Sequence, residues 1–120
     1  MEKTSLGIME YHLLSLIWEN EPLTSMQLVQ LCGEAFDWKK STTYTMLKRL
    51  QQKGFVHSER TVVTSLIDRD SVQSSESEAF VANTFSGSLP GFLAAFFNGK
   101  TISDEEAEDL KRLIDAHREG

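Results

Sequence analysis

The sequence predicts a mainly α (α+β) fold, and three observations carry that expectation. Apolar residues recur at helical spacing in successive segments, each bounded by start and stop residues. The β-prone runs are short and sit side by side, at residues 55–57 and 61–64, directly after the third helical segment. From residue 70 onward the chain is helical in pattern again and rich in large apolar side chains.

The first helix is expected over about 7–20, where Tyr11, Leu14, Ile17 and Trp18 make one apolar stripe. Glu21-Pro22 ends it, since proline disfavours helix for the residue before it. Thr24 starts a second helix, because Thr24-Ser25-Met26-Gln27 has the form of a capping box. Met26, Leu28, Val29 and Leu31 supply its core face, and Gly33 is expected to begin its end. A third helix spans about 40–53, with Met46, Leu47 and Leu50 inward and Lys53-Gly54 as its stop. The two β-prone runs then read as a hairpin with Ser58-Glu59-Arg60 at its tip. Helix, helix, helix, hairpin is the order of a winged helix-turn-helix. A fourth helix follows to about Phe85, broken by Gly87. Ser88-Leu89-Pro90 begins a fifth, strongly apolar one, and Asn98-Gly99 stops it. Ser103-Asp104-Glu105-Glu106 opens a sixth, with acids at the helix's positive end and Leu110, Leu113 and Ile114 as its stripe. The expected domains are therefore a winged helix-turn-helix DNA-binding domain at 1–70 and a helical dimerisation domain at 71–120.

A chain of 120 residues fits this plan: one core of real size and an appendage. No apolar stretch approaches the ~20 residues of a membrane span. The N-terminal sequence, interrupted by Glu2 and Glu10, lacks a signal-peptide layout, so the expected location is cytoplasmic. Cys32 is the sole cysteine and falls in the apolar pattern of a helix, where a free cysteine behaves as a small buried hydrophobe.

The net charge of -6 argues against indiscriminate nucleic-acid binding. Its distribution is more informative. Between Trp38 and Arg60 the basic residues Lys39, Lys40, Lys48, Arg49, Lys53 and Arg60 face Glu59 alone, whereas acids dominate after Ser71. A local basic stripe on an acidic chain fits one DNA-facing element. The third helix has what such an element needs: short polar residues near its start, cations for phosphates, and an apolar back. Ser41, Thr42 and Thr45 are short enough for close approach to base edges, and threonine methyls can touch thymine methyls. Lys40 and Lys48 suit phosphates, Arg49 suits phosphate or guanine, and Arg60 is the wing's one obvious phosphate ligand. Ser-Thr-Thr-Tyr-Thr is also a poor choice for a mere surface helix.

The segment from Trp38 to Gly54, WKKSTTYTMLKRLQQKG, resembles the recognition-helix signature of the penicillinase-repressor family (BlaI/MecI/CopY type). Residues 10–18 and Pro22-Leu23-Thr24 are similar to that family's first helix and turn. Residues 84–89 and 102–114 resemble its dimerisation helices. The resemblance implies a homodimeric repressor of inducible genes, often antibiotic-resistance genes, bound to palindromic operators. It also implies relief of repression by proteolysis through a membrane-bound metalloprotease sensor. The chain departs from the family in its short wing, in lacking the C-terminal cysteines of the copper-responsive branch, and in having Ala95-Phe96 where the family's cleaved Asn-Phe bond aligns.

No catalytic constellation stands out: His12, His57 and His117 are scattered, and no cofactor or metal is expected. Two function classes stay open, a DNA-binding repressor and a winged-helix module for protein–protein contact. Dimerisation is expected through residues after Asp70, with Phe80, Phe85, Leu89, Phe92, Phe96, Leu110, Leu113 and Ile114 as the apolar surface that one chain has little to bury against.

Overall fold

The computed structural model describes residues 6–119; Glu2, one of the acids read in the N-terminal sequence, lies outside them. The elements run α1 (Ile8–Asn20), β1 (Leu23–Thr24), α2 (Ser25–Phe36), α3 (Lys40–Gln52), β2 (Val56–Glu59), β3 (Val62–Ser65), α4 (Arg69–Thr84), α5 (Leu89–Phe97) and α6 (Asp104–Ala116). Three helices followed by a hairpin form the winged helix-turn-helix that the pattern predicts. The chain divides into two compact units that meet inside α4, between Phe80 and Val81.

In the N-terminal unit Leu13, Leu14 and Ile17 of α1 meet Leu28 and Cys32 of α2, Leu47 and Leu50 of α3, and Phe55, Val56 and Val63 of the hairpin. Val72 of α4 joins them. The Thr24 capping box forms as expected: its hydroxyl accepts from the Gln27 amide at 3.1 Å, and the Gln27 carboxamide accepts from the Thr24 amide at 2.8 Å. Helix α3 stops at Gly54, which at φ 86° closes the turn so that the Phe55 amide donates to the Leu50 carbonyl.

Four expectations need correction. Gly33 does not begin the end of α2; the helix continues to Phe36 and closes on Asp37 in the left-handed conformation. Met26 does not face the core: it lies on the first turn of α2 and is 59% exposed. Residues 23–24 form an edge strand as well as a turn and cap, pairing antiparallel with β3 in the sheet order β1-β3-β2. The hairpin tip is Arg60-Thr61, because Ser58 and Glu59 pair with Val63 and Val62 inside the ladder. Both tip residues have positive φ, 53° and 65°, the signature of a two-residue type I′ connection.

The hairpin is tied down on both sides. The Glu21 carboxylate accepts from the Ser65 amide and hydroxyl at 2.7 and 2.8 Å. The Ser25 amide donates to the Thr61 carbonyl at 2.9 Å. The Trp18 indole donates to the Ile67 carbonyl at 2.9 Å, and the Arg69 guanidinium stacks 5.2 Å above its ring.

The C-terminal unit holds the end of α4, α5 and α6. Ser88 caps α5 by accepting from the Gly91 amide, and Ser103 caps α6 by accepting from the Glu106 amide. Neither α5 nor α6 has a buried residue, although α5 is Leu-Pro-Gly-Phe-Leu-Ala-Ala-Phe-Phe. The unit's rings contact one another in series: Phe85, just after α4, with Phe92 at 5.5 Å, Phe92 with Phe96 at 6.3 Å, and Phe96 with Phe97 at 5.8 Å. Among the described residues no single helix is long and apolar enough to cross a membrane.

Candidate nucleic-acid interface

Helix α3 is fixed from behind. Thr43, Leu47 and Leu50 are buried, and the Thr43 hydroxyl bonds the Lys39 carbonyl and faces the Cys32 thiol. Burial pushes the Cys32 thiol up, and the Thr43 hydrogen bond offsets part of that.

Opposite this back, at helical spacing, Ser41, Thr45, Lys48 and Gln52 form one exposed stripe. Lys40 and Tyr44 lie on one flank, with the Lys40 ammonium 5.9 Å from the Tyr44 ring centroid. Thr42, which is half-buried, and Arg49, which is exposed, lie on the other. The structure therefore brings Ser41, Thr45 and Lys48 together at the centre and sets Lys40, Thr42 and Arg49 at the edges. Arg60 is exposed on the hairpin loop. The Thr61–Ser25 bond anchors that loop to the first turn of α2, and the Tyr44 hydroxyl approaches the Met26 sulfur of the same turn at 3.7 Å. Loop and α3 thus share one support.

The other flank rests on a group that reads in the sequence as an interruption. Glu10 is buried in the first turn of α1 and accepts from the Lys53 ammonium at 2.7 Å and the Gly7 amide at 2.9 Å. Burial alone raises its carboxyl; the Lys53 ammonium, the Gly7 amide and the Arg49 charge outweigh it and hold the pKa below the ordinary value. This ion pair locks the end of α3 to the start of α1. Arg49, Met46 and Lys53 line one shallow hollow with Leu6, Gly7, Met9 and Glu10. Lys53 is therefore a positioning residue, whereas Lys48 and Lys40 point charge outward. Tyr44, Met26 and Glu10 were not singled out as site residues by sequence reasoning. Tyr44 carries a signal, as an aromatic on an otherwise polar face. Glu10 carries a weaker one, as an acid four residues before Leu14 and seven before Ile17, on the apolar face of α1.

In the C-terminal unit Leu89, Phe96, Leu113 and Ile114 are each more than half exposed, and Phe85, Phe92 and Leu110 are partly covered. Phe80, at the last position of the N-terminal unit, is 51% exposed. Ala95 and Phe96 sit in the last turn of α5, where the Ala95 carbonyl accepts from the Asn98 amide. Among the described residues no cluster of three or more histidine, cysteine or acidic side chains is arranged to hold a metal ion.

The profile of the family described as "Penicillinase repressor" matches residues 6–116. The penicillinase repressor of Bacillus licheniformis is 23% identical over 113 residues, covering 91% of this chain and 88% of that protein. The methicillin resistance regulatory protein MecI of Staphylococcus aureus (strain N315) is 20% identical over 109 residues, covering 88% of this chain and 89% of that protein. The solution structure of the DNA-binding domain of the repressor BlaI is 27% identical with a TM-score of 0.49, covering 57% of this chain and 90% of that one.

Proposed function

The chain belongs to the penicillinase repressor family, and from that premise we propose that it is a DNA-binding repressor that reads a palindromic operator as a homodimer in the cytoplasm. The observation that carries this reading is the stripe of Ser41, Thr45 and Lys48, exposed directly opposite the buried Thr43, Leu47 and Leu50. Short hydroxylated side chains let the helix backbone approach base edges, and the flanking cations hold it in register on the phosphates. Thr42, Thr45 and Arg49 contribute to base reading, with Ser41 at the approach. Lys40, Lys48 and, on the wing, Arg60 anchor phosphates.

The test is selection of bound fragments from genomic DNA, followed by affinity measurements on the enriched site. An inverted repeat is expected, with binding that weakens steeply between ~50 and ~200 mM salt. Arg49→Ala should cost about 1–3 kcal/mol at that site, and Lys48→Ala should weaken all sequences alike and reduce the salt slope by about 1. Failure to enrich any sequence would defeat the reading.

The homodimer is assigned to 71–120, with Phe80, Phe85, Leu89, Phe92, Phe96, Leu110, Leu113 and Ile114 as its surface; the exposure of Leu89, Phe96, Leu113 and Ile114 supports this. Two linked readers raise each other's effective concentration at paired half-sites, so separating the copies releases DNA. Cleavage near Ala95-Phe96 by a membrane-bound metalloprotease sensor system would do this by detaching α6. The names of two relatives, a penicillinase repressor and a methicillin resistance regulatory protein, support antibiotic-resistance genes as the regulated class. Truncation after Ala95 should abolish both dimerisation and tight operator binding; retention of both would assign derepression to another route.

A further inference from the structure

Beside the polar stripe of α3 lies a small apolar step that the phosphate and hydroxyl contacts leave unused. Its members come from two helices. Met26, in the first turn of α2, is 59% exposed although it is a large apolar side chain, and Tyr44, in the second turn of α3, is 36% exposed. The Tyr44 hydroxyl donates toward the Met26 sulfur at 3.7 Å, which sets the ring against the thioether. The Lys40 ammonium approaches the same ring at 5.9 Å, and the Thr61 carbonyl holds the Ser25 amide at 2.9 Å, fixing the backbone from which Met26 projects. Thr45, next in sequence to Tyr44, is exposed on the stripe. The step is thus rigidly placed, apolar, and continuous with the basic, hydroxylated face.

In the major groove one feature of the four bases is apolar, the 5-methyl group of thymine. A methionine thioether is polarizable and adapts to small shapes, and an aromatic edge gives a firm wall. We propose that Met26 and Tyr44 together form a specificity contact for a thymine 5-methyl group at one position of each operator half-site, next to the position read by Thr45. The contact rests on the reading of α3 as the DNA-facing helix. It adds to that reading a named base, a named atom and a residue contributed by α2.

The experiment uses the full chain and the site enriched from genomic DNA. Each thymine of one half-site, and its symmetry mate, is replaced in turn by deoxyuridine, which removes the methyl group and leaves the base pairing intact. Burying one methyl is worth ~0.8 kcal/mol, so affinity should fall about fourfold per half-site at the contacted position. Met26→Ala and Tyr44→Ala should each lose that discrimination at the same position while keeping the salt slope of the parent. Tyr44→Phe should retain most of it. Thr45→Ser should leave it in place and, where Thr45 touches a methyl of its own, change a neighbouring position instead. Both side chains are exposed, so an unchanged thermal midpoint confirms that the variants are folded. If the parent binds its site but no thymine-to-uracil replacement is sensitive to Met26→Ala or Tyr44→Ala, the apolar step reads no methyl and the proposal is overturned. If no site is enriched at all, the reading of α3 falls first and the proposal with it.

Discussion

The two units of this chain spend similar side chains in opposite ways. In the N-terminal unit Leu13, Leu14, Ile17, Leu28 and Leu50 are fully buried, and even a carboxylate, Glu10, is taken inside and paired. In the C-terminal unit α5 and α6 carry phenylalanines and leucines of the same bulk and bury none of them. The first unit closes its own core. The second leaves large apolar side chains exposed, which suits the proposed division of one short chain into a reader and a dimerisation appendage.

The sharpest probe of this contrast is Leu50→Ala. Leu50 is at 0% exposure where α3 meets α1 and the hairpin, so the loss should be about 2–5 kcal/mol in urea unfolding. Trp18 and Trp38 both belong to the N-terminal unit and report on it by fluorescence. A small loss would mean that the first unit is no better packed than the second. On the other side, Phe96→Ala combined with Leu113→Ala removes two side chains that are 55% and 58% exposed. The tryptophan-monitored stability of the first unit should move by no more than about 0.5 kcal/mol. The proposed dimer should weaken by about 2 kcal/mol, read by sedimentation as a dissociation constant raised more than tenfold. Equal sedimentation of parent and variant would remove these residues from the interface.

Glu10→Gln gives a smaller effect and sharpens the contrast by separating packing from charge. It removes the negative charge 2.7 Å from the Lys53 ammonium and should cost about 1–3 kcal/mol. The pH dependence has a definite sign. Because the folded protein holds the Glu10 carboxyl below its ordinary 4.5, the pair contributes stability that is fully present above that pH. The contribution is lost as pH falls through the lower folded-state value. The variant should therefore lack that part of the parent's acid sensitivity in denaturation followed between about pH 5 and pH 2; equal pH profiles would assign the acid sensitivity to other carboxylates.

By itself the sequence determined the local framework. Helical periodicity, the Thr24-Gln27 box, the Ser88 and Ser103 caps, Gly54 after Lys53 and the paired β-prone runs each act within a few residues, and each is where local physics puts it. The stripe of α3 was legible for the same reason: a helix fixes which residues share a face. Tertiary structure decided what depends on residues far apart in the chain. Met26 fits an apolar pattern, but it lies on the opposite side of α2 from Leu28, and packing gave the core the face of Leu28 and Cys32. Strand β1 is only two residues long and exists because β3 lies beside it. The hairpin tip moved to Arg60-Thr61 because register is set by the pairing of Glu59 with Val62. Glu10 looks like a break in an apolar run until Lys53, 43 residues later, brings its ammonium to 2.7 Å. Pairing across that separation turns a buried charge from a cost into a lock, and only the folded chain brings the two together.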